Sequence, residues 1–202
     1  MIEKICNFLM VKIKKKMPNI SEEREAVIRF GLLVIFDEVP KTLLLILIAY
    51  WMNILGLMLI SFVSIGLYRG FAGGFHLKTH IGCFLTSFTM FLGNALLGKY
   101  IIFESIYLTY VIYITIWIFN MIMITKYAPG DTENVPIVSR KIRKRNRVMS
   151  YVSMNILIIL GFIISDKGIA NILVYGTFLE SICITDLAYK ISRCKRGTSL
   201  KN

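Results

Sequence analysis

"SIYLTYVIYITIWIFNMIMIT", residues 105–125, runs for 21 positions without an Asp, Glu, Lys or Arg. At about 1.5 Å per residue, a helix of that length crosses the ~30 Å hydrocarbon core of a bilayer. Its apolar residues form neither a helical stripe nor a strand alternation, so nothing in it separates an inside from an outside face. Similar blocks stand at 26–40, 42–67, 81–98, 148–165 and 168–189. The first is the weakest, because Arg29, Asp37, Glu38 and Pro40 interrupt it. Over all 202 residues 56% are hydrophobic and only 18% charged, against about 25% charged in a soluble domain. A soluble core of this size would not hide so much apolar surface. The sequence therefore implies an all-α, polytopic integral membrane protein with about six transmembrane helices, organised as a single membrane domain over 1–202.

The net charge of +12 sits in the gaps between the blocks, as "KIKKK" (12–16), "RKIRKRNR" (140–147) and "RCKR" (193–196). No aromatic residues interleave with it as a base-stacking platform would need, which argues against nucleic acid. With both termini on the cytoplasmic side, 21 of the 24 Lys and Arg fall inside, and only Lys41, Lys99 and Lys167 fall in outer turns. That bias is the signature of cytoplasmic loops. A four-span arrangement, with the first block interfacial and one later pair re-entrant, is the alternative. "MIEKICNFLMVKIKKK" (1–16) lacks the small-residue cleavage site of a signal peptide. It predicts an amphipathic helix over 1–20 lying on the anionic inner leaflet. Residues 126–147 form a basic cytoplasmic loop.

Polar chemistry concentrates in "RGFAGGFHLKTHIGCF" (69–84), which holds both histidines. On one continuous helix His76 and Cys83 would share a face but stand about 10.5 Å apart along the axis. A Cys–His pair therefore requires "AGGFH" to be non-helical and to fold back over a helix start. Gly73 and Gly74 permit that, since glycine accepts positive φ and close approach. Cys83 would then lie near a helix N-terminus, where the dipole favours thiolate. Two other readings stay open from the residues alone. His76, His80 and Cys83 at i, i+4 and i+7 would line one helical face as metal ligands, although no fourth ligand is apparent. A polar turn with an incidental core cysteine would also explain the stretch.

The motif R-x-x-A-G-G-x-H-x6-C (69–83), together with "YAPGDTENVPI" (127–137) and the basic run after it, resembles the accessory gene regulator B (AgrB) family. The likeness extends over the surface helix, the apolar blocks and an acidic residue in the last block. It implies a bacterial cytoplasmic-membrane cysteine endopeptidase that matures quorum-sensing propeptides, with the catalytic loop and helix start at 69–83. Cys83 matches the family's nucleophile and His76 its general base, and no metal or cofactor is implied. The substrate would be an AgrD-like propeptide, cut near its C-terminal part and left as a thioester that closes to a cyclic thiolactone or lactone. The resemblance also suggests a homodimer.

Supporting roles follow for a second set of residues. Arg69 leads the motif and either binds substrate or marks the membrane edge. The cationic rim of Arg140, Lys141, Arg143, Lys144, Arg145 and Arg147 would attract an acidic propeptide tail or anionic lipid. Glu180 lies within the last apolar block, where a carboxylate is costly. It would orient His76 as a third member, pair with Arg69 or another cation, or serve a structural role between helices. Asp186 is expected to pair with Lys190 at i+4. Cys6, Cys183 and Cys194 read as packing or surface residues, and Tyr113 and Trp117 as lipid contacts. The alternative function is a non-catalytic peptide exporter or propeptide-binding subunit. A transporter, however, would line its spans with more polar groups than these blocks carry.

Overall fold

The computed structural model describes residues 2–17, 20–77, 79–133 and 136–197. Lys78, Lys201 and the His80 side chain lie outside the described residues. Among the described residues all regular elements are helices: α1 (Ile2–Lys16), α2 (Glu22–Trp51), α3 (Leu55–Ala72), α4 (His80–Tyr100), α5 (Ile106–Tyr127), α6 (Arg140–Ile163), α7 (Lys167–Cys183) and α8 (Asp186–Ile191). They fall into two compact units, residues 1–48 and 49–202.

In the first unit, α1 buries Cys6 and Met10 and exposes Ile5, Phe8 and Val11. Its last turn carries Lys14, Lys15 and Lys16. Lys14 meets Glu25 of α2 at 2.7 Å. α2 runs 30 residues and passes through Pro40, where the sequence had suggested a break. Proline removes one backbone bond, but the run "TLLLILIAYW" after it leaves its amides no water to bond, so the helix continues. The helix stops instead at Asn53 (φ 53°), within the second unit. There Asn53 N–H bonds Tyr50 O at 3.0 Å and Ile54 N–H bonds Ala49 O at 3.0 Å, the paired bonds of a Schellman stop with Asn in the left-handed position. Lys41 consequently sits inside α2, 3.2 Å from Glu38, and not in an outer turn.

Among the described residues four helices, α3, α4, α5 and α6, are long and apolar enough to cross a bilayer. The sequence had suggested about six such spans. α2 falls short because Asp37, Glu38 and Lys41 interrupt its apolar half, and α7 because it has only 17 residues.

In the second unit α7 is the central helix, packed on by α3, α4, α5 and α6. Ten of its 17 residues are buried, so it carries polar groups that face protein and not lipid. Tyr113 donates to Asn171 Oδ1 at 2.7 Å, which makes it a core residue instead of a lipid contact. Asn120 donates to Thr177 Oγ1 at 2.8 Å, and Asn94 donates to Ser61 Oγ at 2.9 Å and Ile172 O at 3.0 Å. Inside a bilayer such bonds join helices where apolar contact alone gives little preference over lipid. Glycine lets two neighbours close in: a Cβ on Gly98 would lie 2.3 Å from Ile172 Cγ1, and one on Gly161 2.5 Å from Val174 Cγ2.

The unit has two distinct ends. At one, Lys167 Nζ donates to Phe103 O at 3.3 Å and Asn171 to Ile101 O at 2.9 Å. At the other, the segment 128–133 hydrogen-bonds both to 72–74 and to 189–197. Helices α4 to α8 each begin with a side-chain cap, from Thr79, Ser105, Ser139, Asp166 and Thr185 respectively. Each satisfies an amide left unpaired at a helix start.

Candidate active site

The candidate site lies at the second of these ends, where α3 stops. Gly73 N–H closes the helix on Arg69 O at 2.8 Å. The chain then reverses through Gly73 (φ 73°) and Gly74 (φ 142°), both in the region that favours glycine. Space demands glycine as well. A Cβ on Gly73 would lie 2.1 Å from Gly130 O, and one on Gly74 3.0 Å from Arg69 Nη1. The reversal is held by a short parallel bridge, with Gly74 N–H on Gly130 O at 2.9 Å and Gly130 N–H on Ala72 O at 2.7 Å.

Phe75 is then fixed at both backbone groups. Its N–H reaches Cys183 O at 3.3 Å, and its carbonyl accepts from Arg69 Nη2 at 2.7 Å. The other guanidinium nitrogen, Nη1, donates to Glu180 Oε2 at 2.9 Å and Oε1 at 3.3 Å. Glu180 is fully buried and the Arg69 side chain is 25% exposed. Among the roles open to Glu180 in the sequence, the pairing with Arg69 is formed, and it joins α3 to α7. One residue before Arg69 in α3 and one residue after Glu180 in α7, Tyr68 and Ser181 share a hydrogen bond of 2.9 Å, so α3 and α7 are fastened at two successive levels.

His76 follows immediately, exposed on a non-helical segment, and α4 starts only at His80. Thr79 caps that helix by accepting from Gly82 N–H at 3.1 Å. Cys83 N–H makes the helix's first backbone bond, to Thr79 O at 2.9 Å. The Cys83 thiol is partly buried in this first turn. Because His76 precedes α4, the single helical face that would align His76, His80 and Cys83 as ligands is not formed.

The basic rim divides by what its side chains bond. Arg143 Nη2 donates to Asp131 Oδ2 at 2.6 Å and to Ile137 O at 3.1 Å, and Arg147 Nε donates to Ala128 O at 2.7 Å. These two hold the loop between α5 and α6. Arg140, Lys141, Lys144 and Arg145 point outward, exposed. Asp186 pairs with Arg196 at 2.8 Å instead of with Lys190. Arg196 is drawn there by its stacking 4.2 Å from the Tyr189 ring centroid and by a bond to Ile184 O. Cys183 is buried, with its Sγ 3.7 Å from Met90 Sδ, and Cys6 is buried as well, whereas Cys194 is only partly covered.

Sequence reasoning did not single out Asp131, Tyr189 or Arg196. Pro-Gly-Asp at 129–131 has the composition of a turn, but no local pattern reveals that a residue from the far end of the chain closes on it.

Gly73→Ala is expected to cost most of the site's activity while leaving the bundle folded. The added methyl meets a backbone oxygen that has nowhere to go, and the reversal must open. A gel assay of substrate processing beside a size-exclusion profile checks this. Wild-type processing by Gly73→Ala would show that the bridge to Gly130 is dispensable.

Compared with known proteins, the family model for accessory gene regulator B matches residues 3–184. An AgrB-like protein of Clostridium acetobutylicum is 29% identical over 192 residues, covering 94% of this chain and 88% of that protein. The accessory gene regulator protein B of Staphylococcus aureus strain MW2 is 25% identical over 175 residues, covering 87% of this chain and 90% of that protein. The same protein from strain MRSA252 is 23% identical over the same length. No solved structure matches the chain. With its helical membrane bundle and a family match over nearly its whole length, the chain belongs to the accessory gene regulator B family, membrane proteins of the agr quorum-sensing system.

Proposed function

We propose that the protein is a cysteine endopeptidase that cleaves and cyclises an AgrD-like propeptide, with Cys83 as nucleophile and His76 as general base. The observation that carries this reading is the restraint on the segment before His76. Arg69 and Cys183 O hold Phe75 at both backbone groups, and a partly buried thiol stands in the first turn of the next helix. A helix start favours thiolate through its unpaired amides and dipole.

In this mechanism His76 takes the Cys83 proton, and the thiolate adds to a propeptide carbonyl. The C–N bond then breaks, the leaving amine takes the proton from His76, and the acyl group remains on Cys83 as a thioester. The propeptide's own Cys or Ser attacks that thioester after giving its proton to His76. Cys83 leaves as thiolate and regains the proton, so the cycle closes with a thiolactone or lactone and no net redox change. Excluding water until ring closure is part of the task, because hydrolysis would discard the activated bond.

The end of the bundle that bears the site also bears Arg140 to Arg147 and the basic tail, while Lys99 and Lys167 lie at the other end. That bias supports a cytoplasmic location for the site and for the basic segment after α7, in the membrane of a bacterial cell. The exposed Arg140, Lys141, Lys144 and Arg145 then offer an acidic propeptide tail a long-range attraction. Arg143 acts differently, by holding the loop.

The test is intact-mass analysis of the propeptide incubated with wild type and His76→Ala in liposomes. Wild type is expected to release the C-terminal fragment, and His76→Ala to slow release by about 10²- to 10⁴-fold, the usual range for a lost general base. Binding without cleavage by wild type would favour the exporter or binding subunit instead.

A further inference from the structure

The segment after α7 closes back on the loop that braces the Gly73–Gly74 reversal. Cys194 N–H bonds Tyr189 O at 3.1 Å, Glu133 N–H bonds Lys195 O at 3.1 Å, and Gly197 N–H reaches Asp131 O at 3.4 Å. Tyr189 donates its hydroxyl to the same Asp131 carbonyl at 3.0 Å. Arg196 anchors the segment. Its guanidinium stacks on Tyr189 and lies 5.5 Å from the Tyr127 ring centroid, donates to Asp186 Oδ1 at 2.9 Å and donates to Ile184 O at 2.7 Å. Asp131, Thr132, Tyr189 and Ser192 are all buried by this closure. Asp131 is held from the other side by Arg143 and by Ile137 N–H. Its neighbour Gly130 makes the two bonds to Ala72 and Gly74.

We propose that residues 189–197, anchored by Arg196, are a positioning strap for the catalytic turn. They hold Asp131, and through Gly130 they fix the reversal that presents His76. The reversal is thereby gripped from two sides, by Arg69 and Glu180 within the bundle and by the strap through the 128–133 loop. A turn of two glycines has no side chains with which to fix itself and has the largest conformational freedom to lose, so external bonds must set its geometry. Arg196 suits the anchor role because one planar group stacks on a ring and makes two directed bonds at once, which an ammonium cannot do. The strap begins beyond the residues that the family model matches.

This inference rests on the endopeptidase reading, and the experiment separates the two. Full-length protein in liposomes is compared with Arg196→Ala, Arg196→Lys, Tyr189→Phe and a chain ending at Ser192. Two quantities are read: kcat and KM for propeptide cleavage, and the pH profile of Cys83 alkylation by iodoacetamide, mapped by peptide mass. Size exclusion establishes which variants fold, and the two point variants at 196 decide if the shortened chain does not. Misplacing a catalytic group by about 1 Å can cost up to about 10²-fold. Arg196→Ala and the shortened chain are expected to lose about tenfold in kcat with KM little changed. The alkylation profile should shift in the same variants, and Arg196→Lys and Tyr189→Phe should fall between them and wild type. A folded Arg196→Ala with wild-type kcat and alkylation profile overturns the strap while leaving the endopeptidase intact. Cleavage that survives Cys83→Ser overturns the endopeptidase reading itself.

Discussion

Cys83→Ser is expected to abolish propeptide cleavage, by about 10³-fold or more, in a protein that folds and still binds the propeptide. The swap changes one atom and almost no volume, so packing in the first turn of α4 is preserved. What is lost is acidity. An ordinary thiol ionises near about pH 8.5, within reach of an imidazole base, whereas an aliphatic hydroxyl is a far weaker acid. Ester formation would also replace the thioester, whose activation drives the second transfer. The measurement is fragment release by mass spectrometry, with binding followed separately by co-sedimentation with liposomes. Loss of both binding and cleavage in a misfolded protein would say nothing of chemistry, which is why the isosteric change is the one to make.

The second large effect concerns Arg69 and Glu180. Glu180 is fully buried and takes two contacts from one guanidinium nitrogen. Removing one partner of such a pair costs about 3–5 kcal/mol, because the other charge remains buried without compensation. Glu180→Ala is therefore expected to lower the denaturation midpoint in micelles sharply. Replacing both partners with apolar residues of similar volume is close to neutral in comparable sites, so Arg69→Met with Glu180→Leu should regain the fold. It should not regain cleavage, since the Phe75 carbonyl has lost its donor at 2.7 Å. We expect the double variant to stay about 10²-fold below wild type. If it cleaves at the wild-type rate, the pair serves the bundle alone and Phe75 needs no restraint.

Much of this architecture was legible in the sequence because the bilayer leaves few choices. An apolar run must satisfy its amides internally, so the blocks at 81–98 and 105–125 became helices near their expected limits, whereas α6 starts at Arg140 and not at 148, so the basic run read as part of a 126–147 loop is its helical first turns. The Gly73–Gly74 reversal was legible because only glycine offers the required φ, and the structure adds Gly130 O as the reason that no methyl fits. The first two blocks misled for a specific reason. Pro40 is the stronger breaker in general, yet "YWMN" held the actual stop, with Asn53 able to enter the left-handed region. The basic rim misled in another way. Composition made six cations equivalent, and only the bonds to Asp131, Ile137 O and Ala128 O separate Arg143 and Arg147, which hold the loop, from the other four, which are exposed. The roles of Arg196 and Asp131 were invisible because the closure of residues 189–197 on the 128–133 loop depends on where α7 and α8 return the chain, which no local pattern encodes.

The most direct test of the central claim is to find the acyl-enzyme. Wild-type protein in liposomes is mixed with propeptide for short times, quenched in acid, digested and mapped by mass. The account predicts the retained part of the propeptide attached to the peptide containing Cys83 and released by hydroxylamine, as a thioester requires. Rapid fragment release with no adduct on Cys83, or an adduct on Cys6, Cys183 or Cys194 instead, would contradict it.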